Sequence, residues 1–459
     1  MLKENDDVFH DECGVFGIWN HPESAELTHL GLFAMQHRGQ ESAGIVSTDG
    51  QDLKIYKNLG LVSEVFDQFN WSSLKGKAAI GHVRYSTTGQ NLLMNAQPLK
   101  ADVRGRPLAV AHNGNLTNSK ELRENLQKQG ALFQGTSDTE IFLHLLSRIG
   151  GANWAKTLPQ TLEWVQGAYS LVWLGADQMV AIRDPMGFRP LVLGQIGDSS
   201  YVVASETCAL DLVGAKYIRE IEPGEMLIIS NQGLESIQFK NDSKKARCVF
   251  EMIYFSRSDS YVFGHSVYES RKKFGAQLAK EFPVEADMVI PVPDSGVAAA
   301  IGYAKASGIA FEWGITKNNY VGRTFIQPLQ GSRDQGVRIK LNPQMNLLKN
   351  KKIIVIDDSL VRGTTSKKII QLLREAGAKE VHLRIASPAT KSPCYYGVDT
   401  PEKSQLVASH KSVDEIRKMV GADTLAYLSL EGMFESLGEG PAGFCAACFD
   451  EKYPTRVRD

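Results

Sequence analysis

Apolar and polar positions divide the chain into two kinds of pattern. From residue 13 to about 235, short apolar segments alternate with turn signals: Asp49-Gly50 follows AGIVST, and Gly175 to Gln178 separates YSLVWL from MVAIRD. Such spacing predicts antiparallel strands joined by hairpins. Two helical patterns interrupt them, one with Leu27, Leu30, Ala34 and Met35 on a stripe, the other with Ile141, Phe142, Leu145, Leu146 and Ile149. The expectation is sheet layers with helices outside. The stretch from Asn231 to Arg247 follows neither period and reads as a linker or exposed edge, which puts a domain boundary near residue 245. Beyond it, MVIPVPDSG, KIIVIDDSLVRGTTS and EVHLRIASP alternate with helical patterns, as in a parallel sheet with crossover helices, whose ligands gather at the strand C-termini. No internal repeat or low-complexity tract is present.

Residues 351 to 370 carry the densest chemistry. Ile353 to Ile356 predict a buried strand, and Ile369, Leu372, Leu373 and Ala376 predict a helix that stops at Gly377. The loop between them lets Gly363 bring the backbone close to an oxyanion. Thr364, Thr365 and Ser366 add hydroxyls where free N–H groups and the helix dipole favour negative charge. Asp357 and Asp358 stand at the strand's C-terminal end, where carboxylates accept from sugar hydroxyls or face a hard cation. A phosphorylated sugar fits this order. The spacing of a nucleoside-triphosphate loop is absent, and the acids precede the loop. A plain strand-to-helix turn with two solvated aspartates accounts for less of the run. VIDDSLVRGTTS resembles the phosphoribosyl-diphosphate loop of the type I phosphoribosyltransferases. The resemblance implies that Asp357 and Asp358 hold ribose hydroxyls and magnesium, and that Arg362, Gly363, Thr364, Thr365 and Ser366, with Ser359 in the same loop, surround the 5-phosphate.

Composition narrows the function class. The chain has 459 residues, with 51 Lys plus Arg against 52 Asp plus Glu. That balance gives no footprint for nucleic acid or an anionic membrane. The length suits two or three domains. No apolar run approaches a membrane span, and the acidic opening MLKENDDVFHDE lacks the features of a secretory signal, so a cytoplasmic protein is expected. Six cysteines in such a chain point to thiol chemistry or metal binding rather than disulfides.

Cys13 opens CGVFGIW, and alone it reads as a core cysteine. Together, CGVFGIW, AMQHRGQESAG, GHVRYSTTG, AHNGNLTN and GTSDTEI resemble the amino-terminal-nucleophile glutamine amidotransferases across the first half. The resemblance implies removal of Met1 to Glu12 as a propeptide, with Cys13 then acting as nucleophile and its own α-amine as base. It implies Asn113 and Gly114 as the oxyanion hole, Arg84 on the glutamine carboxylate and Asp138 on its α-amine, with Arg38, Tyr85 and Thr87 completing the pocket. Asn113-Gly114 also suits a tight turn, and Asp138 also suits a helix N-terminus.

The fold expected is α+β followed by α/β. An amino-terminal-nucleophile αββα sandwich over 13–245 precedes a type I phosphoribosyltransferase parallel-sheet domain over 246–459. Together the halves resemble the glutamine phosphoribosylpyrophosphate amidotransferases over essentially the whole chain. That family takes glutamine and 5-phosphoribosyl 1-diphosphate, is inhibited by purine nucleotides and assembles as a homotetramer. By the same resemblance Ser295 in VPDSG joins the magnesium site, and KNNYVGRTFIQP (317–328) is a closing loop, with Arg323 and Lys340 as diphosphate contacts. Ser258 in RSDS departs from the family's Arg-Pro-Asp-Ser. Cys248, Cys394, Cys445 and Cys448 can bind zinc or a four-iron four-sulfur cluster, and spacing alone does not choose. The family's propeptide-bearing branch implies the 4Fe-4S cluster. Cys208 reads as a core residue. Two other readings are a phosphoribosyl-diphosphate-binding regulator without catalysis and an amidotransferase acting on another sugar phosphate; the missing DNA-binding module and the 356–366 loop argue against them.

Overall fold

The computed structural model describes residues 13–85, 91–151, 153–241, 244–318, 341–400 and 402–457. In chain order the first half contains β1 (Gly14–Trp19), β2 (Ser42–Thr48), β3 (Leu53–Leu59), β4 (Ala78–Arg84), β5 (Leu99–Asp102), β6 (Pro107–Leu116), β7 (Gly167–Leu174), β8 (Gln178–Arg183), β9 (Val192–Ile196), β10 (Ser200–Ala204), β11 (Lys216–Glu220), β12 (Glu225–Ser230) and β13 (Gly233–Gln238). They form a seven-stranded sheet in the order β11-β9-β10-β1-β4-β2-β3 and a six-stranded sheet in the order β13-β12-β8-β7-β6-β5. Pairing is antiparallel in both.

The continuous apolar run of β1 follows from burial of both its faces. Val15 and Trp19 meet Ala109, Ala111, Val172 and Leu174 between the sheets. Phe16 and Ile18 point the other way and pack with Leu32, Met35 and Leu210. A third core joins Ile141, Phe142, Leu145 and Leu146 of helix Thr139–Ile149 to Leu171, Trp173 and Ile182 of the second sheet. Each such side chain, fully buried, contributes about 2 kcal/mol. Helix, sheet, sheet and helix give the αββα sandwich that the pattern predicts.

Both expected hairpins form, β2 with β3 and β7 with β8. The first turns on Asp49, whose Oδ1 accepts from the backbone of Gln51 and Asp52. The stretch from Asn231 supplies β13, an edge strand.

One helix departs from the reading. Helix Ser24–Ala34 turns Ala25, Thr28, Gly31 and Leu32 inward and leaves Leu30 39% exposed. It lies close on β1 through small residues; of the expected stripe Ala34 and Met35 are buried and Leu27 packs against the same core, and Leu30 turns outward. The Phe16 ring occupies the space 2.3 Å from where a Gly31 side chain would begin.

The second half opens with β14 (Ala246–Cys248) and the hairpin of β15 (Tyr261–Val262) with β16 (His265–Ser266). There follow β17 (Met288–Pro291), the antiparallel pair β18 (Ile315–Lys317) and β19 (Leu341–Pro343), then β20 (Lys352–Asp357), β21 (Glu380–Ile385) and β22 (Thr424–Tyr427). β23 (Gly443–Cys445) returns to pair in parallel with β14. The main sheet is parallel, in the order β17-β20-β21-β22.

Ile354 and Ile356 pack with Phe274, Leu278, Ala300 and Tyr303 from helices Val267–Glu281 and Val297–Ser307. Ile353 and Val355 face the opposite layer, with Ile369, Leu373, Ile416 and Val420 from helices Thr364–Glu375 and Val413–Val420. A strand covered on both faces reads as an unbroken β-branched run, which is how residues 353 to 356 read. Among the described residues no helix is long and apolar enough to cross a membrane.

Candidate active site

The first centre forms where β1, β4 and β6 meet. Cys13 immediately precedes β1 and is buried; its thiol donates to the carbonyl of Tyr85 at 3.4 Å. Burial pushes the thiol up to about 11, against the opposing pull of Arg84. It is therefore a neutral thiol at rest and needs a base to attack. Arg84 ends β4 and lies 3.6 Å from Glu41.

Asn113 and Gly114 occupy β6, opposite Ser170 and Tyr169 of β7. Gly114 has φ +144, and a Cβ there would lie 2.1 Å from the Ala168 carbonyl oxygen, so no side chain is tolerated. Asn113 Nδ2 meets Ser205 Oγ at 3.3 Å, while Asn113 Oδ1 is buried without a partner and Ser205 Oγ accepts from the Val15 N–H at 3.0 Å. Exchanging the two ends of the amide satisfies all three groups: the Ser205 hydroxyl donates to Oδ1, and Nδ2 is released to donate to an oxyanion.

Asp138 sits at the start of helix Thr139–Ile149, as expected. Burial alone would raise its carboxyl. His112, 3.7 Å away, and the backbone N–H groups of Leu116 and Thr139 outweigh that and hold it below the usual carboxylate range. The carboxylate is thus charged and suited to an ammonium partner.

Arg38 is fully buried beneath Cys13. Its Nε donates to the Cys13 carbonyl at 3.2 Å, and its other nitrogens engage Glu206 at 2.5 Å and Glu251 at 2.7 Å. Glu251 belongs to the second half and also lies 3.5 Å from Arg189. Ser260 Oγ and the Arg257 N–H, again from the second half, donate to Glu206 at 2.7 and 2.9 Å. Arg38 is thus part of a buried charge network joining the halves. Sequence reading missed Glu206, Glu251, Arg189, His112 and Ser205. The available signal was Glu251, an acid inside the apolar run FEMIYF.

The second centre lies at the C-terminal end of β20. Asp357 and Asp358 are both 7% exposed. The Asp358 N–H donates to Asp357 Oδ1 at 3.0 Å, and Ser359 Oγ donates to Asp358 Oδ2 at 2.6 Å. Burial, then the adjacent Asp358 charge, push the Asp357 carboxyl well above its ordinary range, while a hydrogen bond from Ser295 opposes this. That bond brings Ser295, after β17, to the acidic pair.

Gly363 caps helix Thr364–Glu375 with φ +80, which turns the first N–H groups, those of Thr364, Thr365 and Ser366, toward the loop. Arg362 Nη2 donates to Gln405 at 2.9 Å. Behind the site, Arg271 donates to the Ser256 carbonyl at 2.7 Å and to Ser258 Oγ at 3.1 Å. The serine that departs from the family pattern thus serves as a hydrogen-bond acceptor.

Cys248, Cys394, Cys445 and Cys448 line one cavity walled by Phe188, Phe250, Tyr396, Val398 and Tyr453. Cys248 and Cys445 are register partners in the β14–β23 pair. No group of three or more His, Cys, Asp or Glu side chains among the described residues is placed to hold a metal ion. The four thiols share this one cavity. Cys208 is buried in the core. Met1 to Glu12, Thr87, Arg323, Lys340 and the 319–328 part of the expected closing loop lie outside the described residues.

Residues 82–212 match the glutamine amidotransferase domain family, and residues 265–413 match the phosphoribosyl transferase domain family. Over 460 residues the chain is 51% identical to the chloroplastic amidophosphoribosyltransferase of Glycine max, covering 100% of this chain and 81% of that one. Over 454 residues it is 50% identical to the amidophosphoribosyltransferase of Bacillus subtilis, covering 98% and 95%. The chain belongs to the amidophosphoribosyltransferase family. Among solved structures, it matches the glutamine phosphoribosylpyrophosphate amidotransferase of B. subtilis complexed with ADP and GMP, at 50% identity and a TM-score of 0.93, over 97% of this chain and 98% of that one. A second match, described as the allosteric regulatory enzyme of purine biosynthesis, has the same identity and TM-score. Both centres of an amidophosphoribosyltransferase are therefore read here on a fold shared from end to end.

Proposed function

We propose that this chain converts glutamine, water and 5-phosphoribosyl 1-diphosphate into 5-phosphoribosylamine, glutamate and diphosphate, opening purine synthesis in the cytoplasm. The observation that carries this reading is a buried nucleophile site and a sugar-phosphate site on one chain, within a family matched over its whole length.

Removal of Met1 to Glu12 gives Cys13 a free α-amine, which titrates near ~8 and takes the thiol proton. The sulfur attacks the carboxamide carbon of glutamine. The oxygen gains negative charge and is held by the Gly114 N–H and Asn113 Nδ2. As the C–N bond breaks, the amine returns its proton to the departing ammonia, and water then hydrolyses the thioester to glutamate. Arg84 and Asp138 orient glutamine by its carboxylate and α-amine, with Thr87 beside them.

Ammonia next attacks C1 of the sugar, and the bond from C1 to the diphosphate oxygen breaks. Gly363 to Ser366 hold the 5-phosphate, Asp357 and Asp358 accept from the ribose hydroxyls, and Arg323 and Lys340 contact the diphosphate. Asp357, Asp358 and Ser295 would hold magnesium, which would supply charge neutralisation to the leaving diphosphate. Purine nucleotides inhibit, a reading supported by the ADP and GMP bound to the B. subtilis relative.

Cys248, Cys394, Cys445 and Cys448 hold a four-iron four-sulfur cluster in this reading. It is supported by four thiols, drawn from three chain segments, that line one apolar cavity. The cluster supplies a crosslink whose binding energy adds to folding.

The deciding measurement is glutamine-dependent release of diphosphate by protein purified without air. The active species is expected to begin at Cys13 by intact mass and to carry about four irons per chain. Binding of the sugar phosphate without diphosphate release refutes the enzyme. Full activity with Met1 retained refutes the amine base, and a colourless, active zinc protein refutes the cluster.

A further inference from the structure

The oxyanion hole is not enclosed by the glutaminase half alone. Tyr395, Tyr396 and Gly397, from the loop that follows Cys394 in the other half, lie directly against Gly114 and Asn115. Asn115 Nδ2 donates to the Tyr395 carbonyl at 3.0 Å. Arg189, fully buried, donates to the Tyr396 carbonyl through Nε at 3.0 Å and Nη2 at 2.7 Å. Gly397 has φ +110, and a Cβ there would stand 3.1 Å from the Gly114 carbonyl carbon and 3.2 Å from Gly114 Cα. The two glycine backbones are thus in contact across the boundary between the halves.

The loop is itself firmly held. The Tyr396 ring stacks on Phe188 at 4.2 Å with an interplanar angle of 18°. Its hydroxyl meets Thr455 Oγ1 at 3.0 Å and accepts from the Thr455 N–H at 3.0 Å. The Tyr396 N–H donates to Cys394 Sγ at 3.3 Å. Gly114 is therefore wedged between the Ala168 carbonyl of its own sheet and Gly397 of the other half. An oxyanion donor acts through its placement, and displacements below an ångström lower the rate without touching ground-state binding.

We propose that Tyr395, Tyr396 and Gly397 are positioning residues for glutamine hydrolysis, clamping the Gly114 peptide so that its N–H stays aimed at the developing oxyanion. This rests on the reading of Asn113 and Gly114 as the oxyanion hole. It makes the first chemical step depend on a segment outside the glutaminase sandwich.

The test uses the full-length enzyme. Gly397→Ala forces a Cβ toward Gly114, so kcat for glutamine hydrolysis is expected to fall about tenfold or more. KM for glutamine and ammonia-dependent synthesis should both stay within about twofold, because neither uses the oxyanion donor. An unchanged kcat overturns the proposal, as does a rise in KM with parallel loss of the ammonia reaction, which signals general damage. If Gly397→Ala does not fold, Asn115→Ala decides: the clamp requires a fall in kcat of about threefold or more at constant KM, and no change overturns it. Asn113→Ala, measured alongside, separates the two ideas. A fall on the order of 10²-fold there, with normal Gly397→Ala and Asn115→Ala enzymes, removes the clamp alone. No fall removes the oxyanion assignment and the clamp with it.

Discussion

Asp138 and Asp357 are both buried aspartates, each beside a proposed substrate site, and their surroundings push them in opposite directions. Asp138 is held below the usual range by His112 and backbone donors despite its burial. Asp357 is pushed well above it by burial and the neighbouring Asp358. The difference shows two ways to prepare a carboxylate. In the glutamine pocket the protein supplies the stabilising partners, so the charge is present before substrate arrives. At the proposed sugar site two carboxylates are kept together, an arrangement whose repulsion a bound cation would relieve.

The largest expected effect separates the two centres outright. Cys13→Ala should lower glutamine-dependent synthesis by on the order of 10⁴-fold while ammonia-dependent synthesis survives. Loss of both in a folded protein would contradict the division of labour. Next, Asp358→Asn should lower both reactions by on the order of 100-fold and raise the magnesium concentration needed. A variant whose magnesium dependence is unmoved would remove the acidic pair from the cation site.

Stability gives the sharpest contrast. Without divalent cations, Asp138→Asn should destabilise the protein by about 1–3 kcal/mol, since an NH2 group replaces one of the two accepting oxygens among buried donors. Asp357→Asn should stabilise it by about 1 kcal/mol by removing like-charge repulsion. The signs with pH follow. The depressed Asp138 carboxyl contributes stability above its unfolded value, near ~3.9, and that contribution is lost as pH falls below it. The raised Asp357 carboxyl carries a penalty that is absent below the same value and grows as pH rises toward its folded one. Melting curves from pH 3 to 7 should therefore show the two variants diverging from the wild type in opposite senses. Parallel curves would mean the two aspartates are not differently prepared. The smallest effect is expected of Ser258→Ala, which removes one acceptor from Arg271 and should cost about 1 kcal/mol with kcat unaffected.

Both halves were legible wherever chemistry and secondary structure lie in one continuous run. VIDDSLVRGTTS contains its strand, acids, loop and helix start within twelve neighbours, and CGVFGIW shows its double burial in its composition. What could not be read depends on partners far apart in the chain. Arg38 finds Glu206 and Glu251 across 168 and 213 positions, and no local period encodes such a pairing. On helix Ser24–Ala34 the expected stripe failed only at Leu30, because close packing through Thr28 and Gly31 was favoured over its burial.

The Glu251 carboxylate carries a consequence for anyone recombining these enzymes. It sits between Arg38 and Arg189, each contributed by the other half. A chimaera that takes its glutaminase from one relative and its transferase from another inherits this triad only if both parents built it alike. A mismatched partner half would deprive Arg38 and Arg189 of Glu251 while burying them still, leaving Arg38 only Glu206 of its own half. Orphaning a buried charge costs about 3–5 kcal/mol, a large share of the 5–15 kcal/mol that holds a typical domain together. The seam near residue 245 is a place where the chain changes pattern, yet it is a poor place to cut.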